Sequence, residues 1–213
     1  MKSCLLFLVV AVIAREVVGH GRLVDPPNRA SLWRFNVDSA VPNYDDDENY
    51  CGGYNEMIAN GLKCGVCGDP YTAPHPQDNE NTGKYGIGVV MKTYQSGSAI
   101  DVQVRLASNH QGKFFYSLCV LQNPNAPESG EDCFQPLKLA DGSDYYHIAP
   151  DNYINPLEVT NKVQLPAGVT CDRCVLRWHY EAGNRWGQCD DGSSGIGCGP
   201  QETFRSCSDI AIH

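Results

Sequence analysis

The segment around His20 contains the residue with the most distinctive chemistry in this sequence. His20 lies in the stretch REVVGHGRLVDPP, directly after an apolar leader. If the leader is removed so that His20 becomes the first residue, its free α-amine and its ring Nδ1 can bind one metal in a six-membered chelate ring. An internal histidine cannot do this, because its backbone nitrogen belongs to a planar amide with a delocalised lone pair. An α-amine also gives up its proton to a metal more easily than a lysine amine does.

The leader has the layout of a secretory signal peptide. Lys2 precedes an unbroken apolar run of 11 residues, and Val17 and Gly19 occupy the two positions that a signal peptidase reads before His20. The apolar run is too short to span a bilayer. We expect cleavage after Gly19. Cleavage after Ala14, or a buried N-terminal strand in place of a signal peptide, are the alternatives.

This reading divides the chain into a signal peptide at residues 1–19 and one secreted domain at residues 20–213. The whole chain has 16 basic and 25 acidic residues and a net charge of −9. The leader removes two basic residues and one acidic residue, which leaves 14 and 24 in 194 residues and a net charge of −10. This acidic balance argues against nucleic acid and against anionic membranes as partners. We expect a monomer.

The cysteine count of the mature chain indicates a disulfide framework. Cys4 leaves with the leader, and an even number remains in an oxidising compartment, which predicts five disulfides of unknown pairing. Two CxxC pairs, 64/67 and 171/174, allow zinc as an alternative, but they lie too far apart for a zinc ribbon. The ten cysteines are Cys51, Cys64, Cys67, Cys119, Cys133, Cys171, Cys174, Cys189, Cys198 and Cys207.

The hydrophobic pattern predicts an all-β fold. Residues 20–85 are rich in Gly, Pro, Asn and Asp and predict long loops, with at most a short helix near residues 54–62. The stretch SAIDVQVRLASNH then alternates apolar and polar residues, which is typical of a half-buried strand. KFFYSLCVL, NKVQLP, CVLRWHYEAG and FRSCSDIAI are further strand candidates. Short strands, turns and disulfides together predict a β-sandwich with large loops at one end.

A second imidazole would give His20 a third nitrogen ligand for a shared metal. His110 is the preferred candidate, because it lies in the polar turn ASNHQG between two predicted strands. The other histidines are His75, His147, His179 and His213. Three nitrogens with open positions suit copper, because Cu(II) prefers a tetragonal arrangement whereas zinc is more often tetrahedral. A redox metal with vacant positions favours oxidative chemistry.

At three places the residues resemble a known family. HGRLVDPPNRASLW at the mature start, SNHQG, and CVLRWHYEAGNRWGQCDDGSSGIGCGPQETFRSCSDIAI at the end are similar to the lytic polysaccharide monooxygenases, and most of all to auxiliary activity family fifteen. The resemblance covers residues 20–213. It implies an immunoglobulin-like or fibronectin-III-like sandwich and one copper ion in a "histidine brace". It also implies oxidative cleavage of crystalline chitin or cellulose with an external electron donor and dioxygen or hydrogen peroxide.

The same resemblance assigns roles to individual residues. His20 and His110 match the two copper-binding histidines. Phe204 falls at the axial position, where a phenylalanine would shape the site without ligating the metal, and a core role is its alternative. Glu202 matches a polar group near the oxygen-binding side, with Gln201 as its rival.

Substrate contact requires exposed rings on a rather flat surface around the metal. The acidic loop NYDDDENYCGGYNE supplies Tyr44, Tyr50 and Tyr54 as candidates, and covering the core is the alternative role for each. The acidic run 45–47 is either a solvated stretch or a weak Ca²⁺ site that lacks EF-hand spacing.

Two other functions remain open from the sequence. A non-catalytic module could bind polysaccharide or copper with the same brace. A hydrolase could use an acidic pair such as Glu128 and Glu131, although nothing in the sequence fixes that pair at glycosidase geometry.

Overall fold

The computed structural model of the chain describes residues 20–213, so the predicted signal peptide lies outside the described residues. None of the helices in this range is long and apolar enough to cross a membrane. Within residues 20–213 the α-helix α1 spans Tyr54–Ala59, and two 3₁₀ helices span Arg29–Phe35 and Glu131–Cys133. The strands in this range are β1 His20–Asp25, β2 Lys92–Tyr94, β3 Ala99–Ser108, β4 Lys113–Val120, β5 Gln135–Leu137, β6 Tyr146–His147, β7 Leu157–Gln164, β8 Cys171–Glu181, β9 Trp186–Gln188, β10 Ser194–Ile196 and β11 Thr203–Ile212.

Two sheets form the sandwich that the sequence predicted. The smaller sheet has the strand order β1-β3-β7, and the larger has the order β2-β11-β8-β4-β5, with β6 also paired to β4. Neighbouring strands are antiparallel except for β2 and β11. The pair β9 and β10 forms a separate hairpin. The expected all-β sandwich is therefore confirmed.

The main core lies between the two sheets. Ile100, Val102, Val104 and Leu106 of β3 point inward, as their alternation predicts, and they meet large buried rings from β4 and β8. A second cluster covers the outer face of the larger sheet, where loop residues pack on Val175. Burial of this apolar surface provides the main driving force for folding.

Five disulfides staple the loops, as the cysteine count predicts. They join Cys51 to Cys64, Cys67 to Cys207, Cys119 to Cys133, Cys171 to Cys174 and Cys189 to Cys198. All four cysteines of the two CxxC pairs are in disulfides, so the zinc alternative for these pairs is wrong. The bridge from Cys67 to Cys207 ties the loop-rich first third of the chain to β11.

The expectation of loops throughout residues 20–85 is wrong at its first residues, because residues 20–25 form β1. Only two positions of this strand are buried, and one of them is Gly21, which has no side chain. A Cβ at Gly21 would lie 2.5 Å from Cδ2 of Leu106 and 3.1 Å from the ring of Trp178. Only glycine lets β1 lie this close to the core. Because glycine has a low strand propensity and no apolar side chain, the hydrophobic alternation of the sequence does not reveal this strand.

Candidate metal centre

The pairing of β1 with β3 brings the two predicted ligands to the same edge of the sandwich. In this register His20 lies opposite Ser108, the last residue of β3. His110 follows two residues later, in the short connection between β3 and β4. The two histidines are 90 positions apart in the sequence, and this one strand pair brings them to the same place.

One nitrogen of the His20 ring, Nε2, is engaged by a neighbouring carboxylate. Nε2 lies 2.8 Å from Oε1 of Glu48, and both side chains are partly buried. The next amide, Gly21 N–H, donates to the carbonyl of Asp47 at 2.9 Å. Removal of residues 1–19 would turn the His20 backbone nitrogen into the amine that the chelate needs.

The backbone of His110 is held on both sides. Its N–H donates to the hydroxyl of Tyr180 at 3.1 Å, and its carbonyl accepts from Gly183 N–H at 2.9 Å. Gly112 follows with a φ of 89°, and a Cβ there would lie 2.1 Å from the carbonyl oxygen of Glu181. The connection between β3 and β4 therefore needs glycine at this point, and the anchored backbone fixes where the imidazole can lie.

The His110 ring is buried with its hydrogen-bonding capacity only partly used. Nδ1 is buried without a hydrogen-bond partner among the described residues and lies 3.7 Å from Oε2 of Glu202. Nε2 lies 3.3 Å from Oγ of Ser108. An unmatched buried nitrogen costs about 1–3 kcal/mol, and a bound metal removes such a cost when it supplies the missing partner to the ring. This is the environment expected of a ligand.

Among residues 20–213, no three His, Cys, Asp or Glu side chains converge to hold a metal ion. A metal bound here could use two imidazoles and, if residues 1–19 are removed, the backbone amine of His20. Nitrogen donors of this kind suit copper and zinc, and a set of three leaves positions open. The donor set fits the predicted copper brace.

Phe204 lies in the aromatic core beneath His110. It is fully buried and stacks on Tyr180, with ring centroids 5.6 Å apart and 27° between the ring planes. Tyr50 packs on it at 6.3 Å. Burial holds the pKa of Tyr180 well above its usual range, so its hydroxyl stays neutral as it accepts from His110. Phe204 thus belongs to the main hydrophobic cluster, one ring away from the His110 backbone.

The structure distinguishes Glu202 from its rival Gln201. The Gln201 side chain bonds to both backbone polar groups of Arg185 and to the carbonyls of Cys198 and Gly199, so it holds the loop that carries β9 and β10. The Glu202 carboxylate is buried and approaches the His110 ring. Of the two, Glu202 is the one beside the candidate metal centre.

The three candidate substrate tyrosines lie in different environments. Tyr44 is 79% exposed and packs edge-on against Trp33 at 5.2 Å. Tyr50 is partly buried against the core, and Tyr54 carries the guanidinium of Arg185 3.7 Å above its ring. Only Tyr44 presents a largely free ring.

The acidic run 45–47 matches neither of its expected roles at its central residue. Asp46 is fully buried and accepts hydrogen bonds from Nε and Nη2 of Arg34 at 2.5 and 3.0 Å, and it lies 3.2 Å from Arg22. It is therefore an internal ion-pair residue. Asp46 thus links β1, through Arg22, to the first 3₁₀ helix, through Arg34.

The other four histidines have different neighbours. His75 contacts the buried carboxylate of Glu80 at 2.8 Å, and His147 belongs to β6. His179 lies on the outer face of β8, where burial lowers its pKa, and the nearby Arg205 and Arg177 lower it further. His213 ends the chain and pairs through its backbone N–H with the carbonyl of Tyr94.

Sequence reasoning missed a group of exposed apolar side chains near His110. Trp186 and Ile196 are direct cross-strand neighbours in the β9–β10 hairpin and are 70% and 67% exposed. Tyr153 is 75% exposed and, together with Ile196 and Gln111, lines a cavity of about 400 Å³. The only sequence signal was a tryptophan in a Gly-rich segment between two cysteines, and this pattern does not reveal exposure.

Comparison with known proteins identifies the family. The family model described as "Lytic polysaccharide mono-oxygenase, cellulose-degrading" matches residues 20–210. An AA15 lytic polysaccharide monooxygenase from Thermobia domestica, solved in its Cu(I) state, is 44% identical; the match covers 91% of this chain and 98% of that one, with a TM-score of 0.85. A CBM33 protein from Bacillus amyloliquefaciens, solved in complex with Cu(I), is 14% identical over 91% of this chain and 100% of its own; its TM-score of 0.50 supports the fold alone. No curated protein matches the sequence closely enough to count as a relative. This chain belongs to the lytic polysaccharide monooxygenases and, within them, to auxiliary activity family fifteen.

Proposed function

We propose that this chain is a secreted, copper-dependent monooxygenase that cleaves glycosidic bonds in crystalline chitin, cellulose or both. One observation carries the proposal: the β1–β3 register puts His20, whose Nε2 pairs with Glu48, beside the loop that carries the buried ring of His110. Family membership and the copper-bound structures of similar proteins support the same reading. When bound, copper would supply one-electron redox chemistry with dioxygen or hydrogen peroxide, using an external electron donor.

The residues around the metal have separable roles in this proposal. His20 binds through its amine and Nδ1, and His110 through one ring nitrogen. Phe204 and Tyr180 keep water out of the inner side of the site, because their stacked rings fill it. Glu202 supplies a buried carboxylate next to the His110 ring, where it can hold a proton or a polar co-substrate.

The substrate surface in this proposal combines the exposed rings on the flanking loops. Tyr44 is the one predicted tyrosine with a free face, and Trp186 and Tyr153 add rings near His110. Tyr50 and Tyr54 support this surface from below, since their faces are already covered. Aromatic rings with an apolar body suit the faces of sugar rings in a polymer.

Secretion and processing belong to the same proposal. Residues 1–19 act as the signal peptide, and residues 20–213 act as the catalytic domain and work as a monomer. Five disulfides agree with an oxidising compartment.

The hydrolase alternative loses support from its own acidic pair. Oε1 of Glu128 accepts from Arg29 at 2.7 Å and Oε2 from the Asn81 amide at 3.0 Å, with the side chain fully buried. Glu131 is paired with Arg177 and Arg205. Carboxylates held in ion pairs are poor general acids, because their charged form is stabilised.

The test compares copper-loaded protein on chitin and on cellulose, with and without a reductant, by mass spectrometry of the soluble products. A protein beginning at His20 should release oxidised oligosaccharides only with reductant. The matched control carries one extra glycine before His20, which turns the amine into an amide and leaves two ring nitrogens for copper. This control should stay folded and lose tight copper binding and product.

Each alternative predicts a different result. Native sugars without reductant would indicate a hydrolase. Copper and polymer binding without any product would indicate the non-catalytic module. Equal binding and turnover by the glycine-extended protein would refute the chelate at His20.

A further inference from the structure

Residues 45–50 of the acidic loop make a contact to His20 that the proposed brace does not by itself require. The Nε2 atom of His20 lies 2.8 Å from Oε1 of Glu48, across 28 positions of sequence. The two side chains are 30% and 38% exposed, so the contact lies at the rim of the candidate metal centre. Its effect on the metal depends on which ring nitrogen carries the proton.

An ionised carboxylate can only accept hydrogen bonds. Nε2 of His20 must therefore be the protonated nitrogen when it pairs with Glu48, and the lone pair of the neutral ring then lies on Nδ1. The chelate ring that includes the α-amine can close only through Nδ1, since Nε2 is on the far side of the imidazole. The contact thus selects the one tautomer and ring orientation that the brace can use.

The loop is fixed well enough to perform this selection. The buried Asp46 is held by Arg34 and Arg22, and the carbonyl of Asp47 accepts from the Gly21 amide. Glu48 itself donates its N–H to the carbonyl of Asp45 at 3.0 Å, within the same turn. The Glu48 carboxylate is therefore presented to His20 before any metal arrives.

The far end of the loop is anchored to the larger sheet. The carbonyl of Asn49 accepts from Arg205 N–H of β11 at 3.0 Å, and the Tyr50 ring packs on Phe204. Glu48 lies between these anchors and β1, so its position is set by both sheets.

We propose that Glu48 is a positioning residue for the copper site, which holds the His20 imidazole in the Nε2-protonated form that leaves Nδ1 for the metal. The proposal rests on the proposed function, because it assumes that His20 binds through its amine and Nδ1. Residues that hydrogen-bond to a metal ligand, without binding the metal themselves, typically contribute 10–100-fold to metal affinity. A simple surface ion pair would contribute almost nothing.

The test uses protein that begins at His20 and compares it with the Glu48→Ala variant. Copper affinity is measured by calorimetry, and the His20 tautomer is read in the metal-free protein from long-range ¹H–¹⁵N NMR spectra. Asp45→Ala is the matched control, since it removes one negative charge from the same loop and leaves the His20 contact intact. Thermal melts check that all three proteins are folded.

The proposal predicts that Glu48→Ala binds copper about 10–100-fold more weakly and shows a mixture of the two His20 tautomers, with a larger Nδ1-protonated fraction than the parent protein. Asp45→Ala should match the parent protein in both measurements. An Nδ1-protonated His20 in the parent protein would overturn the proposal without any variant. So would parental affinity in Glu48→Ala, or an equal loss in Asp45→Ala, which would indicate loop charge as the cause.

The outcome for the parent protein separates this proposal from the proposed function. A parent protein that starts at His20 and binds no copper would refute the brace itself. A parent that binds copper tightly, with a Glu48→Ala variant that binds it equally well, would refute only the role of Glu48.

Discussion

The bridge from Cys67 to Cys207 should contribute more to stability than any other disulfide of the domain. It closes a sequence separation of 140 residues, whereas Cys171 to Cys174 closes a separation of 3. In the chain-entropy model a loop of the first size contributes about 5 kcal/mol and one of the second size about 2 kcal/mol. The difference of about 3 kcal/mol is large against a total stability of roughly 5–15 kcal/mol.

The experiment compares two double variants, Cys67→Ala with Cys207→Ala, and Cys171→Ala with Cys174→Ala. Each removes one bridge and leaves no free thiol of that pair. In a domain of this size 1 kcal/mol corresponds to about 2–4 °C in Tm, so the first variant should melt about 6–12 °C below the second. Differential scanning calorimetry measures both. Two results would refute the loop-closure argument: equal melting temperatures of the two variants, or a decrease in the free energy of unfolding below about 1 kcal/mol when the bridge from Cys67 to Cys207 is removed.

Three further changes test individual residues of the candidate metal centre and of the proposed substrate surface. His110→Ala should weaken copper binding by more than the roughly 100-fold expected when a residue that only hydrogen-bonds to a ligand is lost, because it removes a ligand itself. Copper affinity equal to that of the parent protein in calorimetry would mean that another histidine is the second ligand. Phe204→Tyr should leave the fold intact and alter the copper electron paramagnetic resonance spectrum, since at the position that the family resemblance assigns to Phe204 the added hydroxyl would face the metal. An unchanged spectrum, with a stability loss of about 1–3 kcal/mol for an unpaired buried hydroxyl, would place Phe204 in the core alone. Trp186→Ala should leave Tm and copper affinity unchanged and weaken binding to the polymer in pull-down assays; unchanged polymer binding would exclude the hairpin from the substrate surface.

The strongly periodic parts of the fold could be predicted from the sequence. The clean alternation of β3 and the turn at His110 are local patterns, and the structure has both at the predicted places. The cysteine count predicted five bridges, but their pairing depends on how the sheets stack, and no local pattern contains that information. The helix expected near residues 54–62 is present and shorter, at Tyr54–Ala59.

The parts that escaped prediction are long-range contacts made by irregular segments. β1 was hidden because Gly21 takes one of its two inward positions, where Leu106 and Trp178 leave no room for a side chain. The contact of Glu48 with His20 escaped because the loop around it reads as a solvated acidic stretch. In the folded chain Asp46 of that stretch is buried between arginines.

In the proposed brace, a metal ligand at the start of the chain has to be held in place, and the acidic loop provides contacts that do so. Chain ends tend to fray, and within residues 20–213 β1 is an edge strand whose only hydrogen-bonded strand neighbour is β3. The acidic loop covers the open side of β1, since Asp47 accepts from Gly21 and Glu48 pairs with the His20 ring.

The disulfides extend this support to the rest of the domain. The amide of Cys51, in the same acidic loop, donates to the carbonyl of Gly68 at 2.8 Å, and the neighbouring Cys67 is bridged to β11. In the proposed brace His20 would be both a chain end and a ligand, and it is held from two sides, by β3 and by a loop that is itself bonded to the larger sheet. Such support reduces the entropy that a metal must remove from the first residue when it binds, because most of that entropy is already lost on folding.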